Sequence, residues 1–460
     1  MGEHRIGDAV GIGRGATNLR PALSQSRSLR LLSVFVLYVA QGVPLGLFTF
    51  AIPAWMAASG ASASDIAFVL GVTSLPWSLK LLNGFIMDRY TVLTMGRRRV
   101  WLIGSQLVLV ASLLVCAALS PTVRDVALLA AIGFAVNLAT TFQDVAVDGL
   151  AVDIMEESER ARASGMMFGG QAIGMATSTA LSGAAIVAYG PSAAYLLSAL
   201  FIGLVTVFVL ATRERPGERL LPWSKGDASA VNVAIQADRW WPILRRTYKA
   251  IARPVSLIFL PVMVVKGIQY GVMSGATPLI ATGSAGWAEG QITAVAGIGQ
   301  LVAGLAGMTI GGMVGDKLGA KWTTTLFLGC WLALNATMFT AQALWADSAL
   351  LTAYMLVWFS LDTLLIVALL PIAMRLCDRA VAATQFTLYM ATANIGITLG
   401  SFLVGLTDKL GGLGPLFGLV ALGNIIAIGI MLTVRFPTQQ IEPEVVRQLP
   451  QAGGLAPAMN

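Results

Sequence analysis

The sequence predicts an all-α integral membrane protein with twelve transmembrane helices in two pseudo-symmetric six-helix bundles, and three observations support this fold class. Of the 460 residues, 56% are hydrophobic and only 12% are charged, more apolar surface than a soluble protein can bury. The chain contains twelve apolar stretches. Each has the roughly 20 residues needed to cross a hydrocarbon core about 30 Å thick. Nearly all lysine and arginine residues fall between these stretches, on one predicted side of the membrane.

The stretches are expected to be helices because they are longer than transmembrane β-strands. In chain order we place them at residues 30–58, 65–87, 100–120, 126–152, 165–189, 192–212, 254–282, 290–314, 322–344, 348–374, 382–407 and 412–435. A polar stretch separates the first six from the last six. The predicted organisation is therefore a cytoplasmic N-terminal segment 1–29, a first bundle 30–212, a cytoplasmic linker 213–253, a second bundle 254–435 and a cytoplasmic tail 436–460.

Lysine and arginine residues predict the orientation. If the N-terminus is cytoplasmic, all but four of the 30 fall in cytoplasmic segments, as the positive-inside rule requires. The exceptions are Arg124, Lys409, Lys80 and Lys266. We expect a multi-pass protein of the cytoplasmic (inner) membrane with both termini cytoplasmic. The formal net charge of +7 then reflects topology and anionic lipid, and no nucleic-acid partner is needed.

The sequence does not indicate an enzyme. An intramembrane catalytic centre needs a nucleophile with a base or a metal cluster, and the sequence has no His-Glu-x-x-His motif. The single histidine, His4, lies near the N-terminus, and the three cysteines are scattered. We predict no metal site and no cofactor, with a proton gradient as the source of energy.

Embedded charges are the strongest functional signal. A charge at the centre of a membrane helix costs about 2.5 to 3.5 kcal/mol, so Lys80 and Lys266 need partners. Asp144 and Asp148 share one face of the fourth stretch, and Asp362 lies in the tenth. Lys80 and Asp148 both lie roughly 12 Å from the cytoplasmic helix ends, and Lys266 and Asp362 both lie roughly 19 Å deep. These depths predict one ion pair in each bundle.

An embedded carboxylate beside an ammonium group can exchange a proton, which is the requirement for proton coupling. Because the only histidine is near the N-terminus, carboxylates must carry any proton within the membrane. The alternative is a set of fixed ion pairs that lock helices together. For Lys266 and Asp362 both interpretations stay open.

Both bundles carry the same signature after their second helix: GFIMDRYTVLTMGRRR from Gly84 to Arg99 and GGMVGDKLGAKW from Gly311 to Trp322. This internal repeat resembles the loop motif of the major facilitator superfamily, Gly-x-x-x-Asp-Arg/Lys followed by Gly and basic residues. An aspartate near a helix C-terminus can hold basic groups and helix ends in one conformation. The first copy departs from the pattern by a longer gap between aspartate and glycine. The predicted conformational motif comprises Gly84, Asp88, Arg89, Arg97, Arg98, Gly312, Asp316, Lys317 and Lys321.

A second repeat precedes the fifth and eleventh stretches, where Glu159-Arg160 and Asp378-Arg379 occupy matching places. Glycines spaced four apart recur in the fifth, eighth and eleventh stretches. Such spacing permits close helix approach, and ordinary helix packing is the simpler interpretation.

The resemblance sharpens in LYVAQGVPLGL from Leu37, LPWSLKLLNGFIMDRY from Leu75 and FQDVAVDGLAV from Phe142. These segments resemble the peptide/acetyl-coenzyme A transporter family, which joins bacterial anhydromuropeptide permeases with acetyl-coenzyme A transporters. The resemblance implies proton-driven import of cell-wall fragments, each a disaccharide carrying a short peptide. It implies proton and substrate roles for Gln143, Asp144 and Asp148. The twelve spans predicted here are fewer than the fourteen often assigned to muropeptide permeases.

Other functions stay open: an acetyl-CoA transporter, a carrier for another anionic solute such as a siderophore, and a transport-dead membrane sensor. By analogy with the superfamily, the first, fourth, seventh and tenth helices line a central cavity. Lysine with aromatic groups suits a small anionic substrate bearing a sugar or ring. Candidate cavity residues, for which a helix-packing role is the alternative, are Tyr38, Gln41, Asn137, Gln143, Gln269, Tyr270 and Trp358.

The predicted mechanism is alternating access. Two bundles rock about the central site while protonation of Asp144 or Asp148 releases Lys80. The predicted partners are substrate, protons and the lipid bilayer, and we expect a monomer.

Overall fold

The structure, a computed structural model, describes residues 22–61, 63–236, 239–287 and 289–437. Within these ranges the secondary structure is helical, apart from one isolated β-bridge between Ala22 and Arg213. Most of the predicted N-terminal segment and nearly all of the predicted tail lie outside the described residues. The prediction of an all-α protein is confirmed.

The first six membrane spans follow the predicted order. The first span comprises the helix Arg27–Gly46, a π-helical turn Leu47–Ala51 and the helix Ile52–Ala58. The second to sixth spans are Ala63–Arg89, Arg99–Leu119, Val126–Ile154, Arg160–Tyr189 and Pro191–Ala211. The fifth span begins five residues before the predicted position, because helix continues through polar residues beyond the apolar stretch.

The second six spans begin with Pro254–Gly283, the seventh. The eighth comprises Glu289–Ala306, a π-helical turn Gly307–Gly311 and the start of the segment Gly312–Thr340, whose remainder is the ninth. The tenth, eleventh and twelfth are Ser348–Leu376, Ala382–Gly405 and Gly414–Thr433.

The eighth and ninth spans are distinct although their helices run together. Within the described residues, eleven helices are long and apolar enough to cross a membrane, and one of them, Ala294–Thr340, has 47 residues. At 1.5 Å per residue that helix would be about 70 Å long, more than twice the hydrocarbon thickness. Gly319 divides it with φ of 73°, a left-handed conformation that glycine adopts without strain. Dividing it there gives the twelve predicted spans.

The two halves repeat the same packing, which confirms two pseudo-symmetric bundles. In the first half the first span packs on the fifth, the second on the fourth and the third on the sixth. In the second half the seventh packs on the eleventh, the eighth on the tenth and the ninth on the twelfth. Glycines allow the closest approaches: a Cβ at Gly174 would lie 2.1 Å from the carbonyl oxygen of Val39, and one at Gly267 would lie 1.9 Å from that of Ala393.

The halves meet at one end of the molecule, which we call the motif end because it carries Asp88 and Asp316. One buried cluster joins both halves, and its first-half members come from the motif-end parts of their spans. A second buried cluster, between Val43 and Ile202, contains first-half residues alone and lies toward the opposite end. The two halves therefore share a hydrophobic core at the motif end.

The connector between the halves contains helical structure that the sequence analysis does not predict for the linker 213–253. It contains the helices Ala230–Ile235 and Trp240–Ile251. Ile243 of the second helix is buried against Val381 and Phe85. These helices were not predicted because the stretch is polar on average. Only one narrow face of Trp240–Ile251 is buried. The predicted domain boundaries stay predictions.

The connector carries two buried carboxylates, Glu214 and Glu218, and the first of them attaches it to the third span. Glu214 accepts the backbone N–H groups of Arg97, Arg98 and Arg99 at 2.8, 2.6 and 2.5 Å. This is an anion at a helix N-terminus, where free N–H groups and the helix dipole favour negative charge. Gly96 makes room for it, because a Cβ there would lie 2.6 Å from the Glu214 carboxyl carbon.

We expect the second carboxylate, Glu218, to make stability depend on pH. Burial and the neighbouring Glu214 raise the pKa of Glu218 from 4.5 to about 8. Glu218 then binds its proton more tightly in the folded state than in the unfolded state, so protonation stabilises the fold. This contribution to the free energy of unfolding is complete below the unfolded pKa and is lost as pH rises through the folded pKa. Between about pH 5 and about pH 8 the melting temperature should fall, and Glu218→Gln should flatten that fall. Tryptophan-fluorescence melts in detergent measure it; an unchanged slope in the variant would contradict it.

Candidate transport site and gate

The embedded charges of the first half form one buried network. Lys80 Nζ lies 3.1 Å from Asp144 Oδ2, and Gln41 donates to Asp144 Oδ1 at 2.7 Å. Asp148 instead accepts a hydrogen bond of 2.5 Å from the Tyr38 hydroxyl. Equal depth suggested that Lys80 pairs with Asp148, and that prediction is wrong because Lys80 pairs with Asp144. The long lysine side chain reaches one helical turn, about 5.4 Å, farther along the fourth span.

The predicted pair of the second half is present. Lys266 Nζ lies 3.1 Å from Asp362 Oδ1 and donates to Oδ2 at 3.3 Å. The ammonium group also lies 5.2 Å from the ring centroid of Tyr270, whose ring packs edge-on against Trp358 at 6.1 Å. Unlike the first pair, this one opens into a cavity.

The cavity lies between the halves and has a volume of about 450 Å³. Its charged lining residues are Lys266 and Asp362, surrounded by Tyr270, Phe359 and several amide side chains. The lining comes from the first, fifth, seventh, eighth, tenth and eleventh spans, and the polar side chains are Thr49, Gln171, Lys266, Tyr270, Gln300, Asp362, Thr363 and Asn394. The fourth span was also expected to line this cavity. Among the described residues it contributes none to the lining, because it buries its carboxylates against Lys80 and Tyr38.

The predicted cavity residues divide into two groups. Tyr270 lines the central cavity, and Trp358 lines an adjoining cavity of about 170 Å³. The remaining five are buried in helix contacts outside these linings: Tyr38, Gln41, Asn137, Gln143 and Gln269. Asn137, for example, accepts from Trp77 Nε1 at 2.9 Å, and Gln143 donates to the carbonyl of Leu37 at 2.8 Å. The sequence could not separate these groups because both are polar residues in apolar helices.

The first copy of the loop motif joins the two halves. Asp88 is fully buried and accepts from Arg98 at 2.7 Å and Arg97 at 3.3 Å. Its second oxygen accepts the backbone N–H and the hydroxyl of Thr384, at 2.9 and 2.8 Å, from the start of the eleventh span. Gly84 allows this approach, because a Cβ there would lie 2.8 Å from Thr384 Cα. We call this contact the gate.

Two arginines extend the gate. Arg97 donates to the backbone carbonyls of Arg379 and Ala380, the latter at 2.5 Å. Arg98 Nε donates to Asp153 at 3.1 Å, at the end of the fourth span. Asp153 and Thr384 were missed in the sequence because neither belongs to a repeated motif.

The second copy of the motif makes a more open version of the same contact. Asp316 accepts from Arg162 at 2.7 Å, at the start of the fifth span, with side chains 24% and 42% exposed. A Cβ on Gly312 would lie 3.4 Å from Arg162 Cα. The repeat therefore bridges the halves twice, once through buried groups and once near the surface.

For three further motif residues, no bridge to the other half is present among the described parts of the chain. Lys321 donates to two backbone carbonyls at the end of the twelfth span, at 3.2 and 2.8 Å. Arg89 lies 4.9 Å from the ring centroid of Tyr90, and Lys317 is exposed. Their roles in the predicted motif stay predictions.

The second sequence repeat marks matching ion pairs. Arg30 donates to both oxygens of Glu159, at 2.5 and 2.8 Å, joining the starts of the first and fifth spans. Arg253 lies 3.7 Å from Asp378, joining the starts of the seventh and eleventh. The repeated acidic-basic dipeptide was the sequence signal, although it did not identify Arg30 or Arg253 as partners.

We expect Gly84→Ala to weaken the gate. The added methyl group would overlap the backbone of Thr384, and overpacking of this kind costs about 1 to 3 kcal/mol. That cost should reduce the closed population roughly 5- to 150-fold. Gly71→Ala is the matched control on the same span, because nothing lies within 4 Å of its added Cβ. Spin-label distances across the motif end measure closure; equal effects of both variants would refute the prediction.

Twelve spans in two repeated bundles, with a cavity between them that carries charged and polar side chains and with bridges that join the bundles at one end, are the architecture of a membrane transporter. The chain belongs to the major facilitator superfamily, whose family model matches residues 31–401. The sequence-based assignment to this superfamily is confirmed, and the protein is a multi-pass membrane transporter of small molecules, not an enzyme.

One similar relative is the anhydromuropeptide permease of Escherichia coli, 26% identical over 388 residues that cover 81% of this chain and 72% of the relative. Among solved structures, the transporter FucP in the outward conformation has a TM-score of 0.65 at 11% identity, covering 89% of this chain and 99% of that one. A bacterial homologue of the iron transporter ferroportin, in an outward-facing state, has a TM-score of 0.62 at 14% identity, covering 88% and 99%. The two structures show the fold alone.

Proposed function

We propose that this transporter imports anhydromuropeptide-type cell-wall fragments together with protons. The observation that carries proton coupling is the buried Lys80–Asp144 pair, joined by Gln41 and lying beside the Tyr38–Asp148 hydrogen bond. The relative named as an anhydromuropeptide permease supports the substrate class. The protein acts as a monomer in the bacterial inner membrane, with both termini and the motif end cytoplasmic.

Proton coupling follows from the cost of separating a buried pair. Breaking one by removing a partner's charge costs about 3 to 5 kcal/mol, because the other charge stays buried. Lys80 therefore stays with Asp144 while the carboxylate is ionised. A proton on Asp144 removes the attraction, frees Lys80 to change partners and permits the halves to rock. The gate at Asp88 must open in the same movement, since it closes the motif end.

Substrate binding uses the second pair. Lys266 and Asp362 line the cavity, where an anionic group of the substrate can replace Asp362 beside the ammonium. The rings of Tyr270 and Phe359 offer apolar faces to a sugar. The first pair then carries the proton and the second recognises the anion.

We expect Lys266→Gln to raise the KM for anionic substrate about tenfold or more while the protein stays folded. The lost charge-assisted hydrogen bond is worth about 1.5 to 3 kcal/mol. Lys409→Gln, at an exposed position at the opposite end, is the control. Initial uptake rates against substrate concentration measure KM. A KM equal to that of the control would exclude Lys266 from substrate recognition.

Uptake into proteoliposomes with an imposed inward proton gradient tests the substrate. Radiolabelled anhydromuropeptide and acetyl-coenzyme A are supplied in parallel, because both are anions with rings. Accumulation of the muropeptide that a protonophore abolishes supports the proposal. Accumulation of the coenzyme ester instead selects the second candidate, whose support is the sequence resemblance of the segment around Asp144 and Asp148.

A further inference from the structure

The helix Trp240–Ile251 in the connector has three faces. The inner face is buried and consists of Ile243, Thr247 and Ala250. At 100° per residue, the next face carries four exposed apolar or aromatic side chains, and the third carries three exposed basic ones. The first set is Trp240, Trp241, Leu244 and Tyr248; the second is Arg245, Arg246 and Lys249.

The inner face crosses the seam between the halves. The helix contacts the second span, which belongs to the first half, and the eleventh span with its preceding turn, which belong to the second. Ile243 packs between Phe85 and Val381, one from each side of the seam. The same two spans form the gate, where the Thr384 N–H donates to Asp88. Docking of this helix therefore favours a closed motif end.

The outer faces fit an anionic membrane surface. Trp241 is 72% and Tyr248 74% exposed, and the Trp240 ring packs edge-on at 5.8 Å against Tyr90 at the end of a membrane span. Tryptophan and tyrosine concentrate at the membrane interface, and interfacial helices combine such a face with lysine and arginine. Residues 239–253 include five basic and no acidic side chains. Within the described ranges, Arg245, Arg246 and Lys249 form no ion pair.

We propose that this helix is a lipid-dependent latch: its outer faces bind anionic phospholipid headgroups, and this binding holds its inner face across the seam, which stabilises the closed gate. The partner is the headgroup layer of an anionic bilayer. The proposal does not depend on which solute is transported, so its failure and that of the proposed function are distinguishable.

Hydrogen exchange in nanodiscs tests both steps at once. The full-length protein is placed in phosphatidylcholine alone or with about one third phosphatidylglycerol, without substrate. Amides of residues 243–251 report docking of the helix, and the Thr384 amide reports the gate because it donates across the seam. We expect anionic lipid to slow exchange at both places at least threefold. High salt, at about 0.5 M, should reduce the difference by screening.

The triple variant R245Q/R246Q/K249Q should exchange equally fast in both lipids. The control R124Q/K409Q removes exposed basic residues at the opposite end and should retain the full lipid effect. The wild-type salt series tests the same electrostatic step if the triple variant does not fold. No lipid dependence at residues 243–251 in the wild-type protein would overturn lipid binding. A response there without one at Thr384 would overturn the latch.

Discussion

The Asp88→Asn variant is expected to lose the closed motif end. It removes the buried carboxylate that neutralises Arg98 and Arg97, and breaking a buried pair costs about 3 to 5 kcal/mol. At about 1.4 kcal/mol per factor of ten, the closed population should fall roughly 100- to 4000-fold relative to open states. The lower value is favoured because Asp153 still accepts from Arg98. Spin labels at the exposed positions Val92 and Leu318 measure the separation of the halves.

The internal repeat supplies the control for this prediction. Asp316→Asn removes the equivalent carboxylate, but its pair with Arg162 is partly exposed. Partly exposed pairs contribute at most about 1 kcal/mol, so closure should change by less than about fivefold. Similar effects of the two variants would show that burial does not set the strength of the gate.

The Asp144→Asn variant is expected to lose all accumulation of substrate against a gradient. Asparagine cannot exchange the proton that releases Lys80, so uptake is no longer driven by the proton gradient. Exchange of internal for external substrate should remain, because it needs no net proton movement. Gradient-driven accumulation and counterflow in the same proteoliposomes measure the two activities.

Two further variants make that result specific. Asp148→Asn keeps the Lys80–Asp144 pair and should retain accumulation, since Asp148 accepts only from Tyr38 in the network described above. Lys80→Gln combined with Asp144→Asn removes both charges and should preserve folding without restoring accumulation. If Asp148→Asn abolishes accumulation and Asp144→Asn does not, the coupling proton resides on Asp148.

The sequence was sufficient for those features that hydropathy and repetition encode. Apolar length fixed the number of spans, and the repeated motif located Asp88 and Asp316. Depth in the membrane alone also predicted the pair of Lys266 with Asp362. The same argument gave the wrong partner for Lys80, because counting residues gives the height along a helix but neither the tilt of the helix nor the direction of a long side chain. Asp144 and Asp148 lie on one face, and only the packing of the first span shows that Tyr38 takes the second carboxylate.

The gate shows a second limit of sequence reasoning. Asp88 was recognised, but its partner Thr384 lies 296 residues away and belongs to no motif. The connector helix was missed for a different reason: its polar average hid a buried face of three residues. Long-range pairing and narrow buried faces both depend on how helices are placed relative to one another, which local composition does not specify.

Coupling of transport to protons can be measured as the steady-state accumulation ratio of muropeptide in proteoliposomes. The membrane potential is held at zero while the imposed pH difference is increased in steps. For one proton per substrate, each pH unit supplies about 1.4 kcal/mol, so the internal-to-external ratio should rise about tenfold per unit. A ratio that reaches one and stays there at every pH difference would contradict proton coupling and would indicate passive facilitated transport.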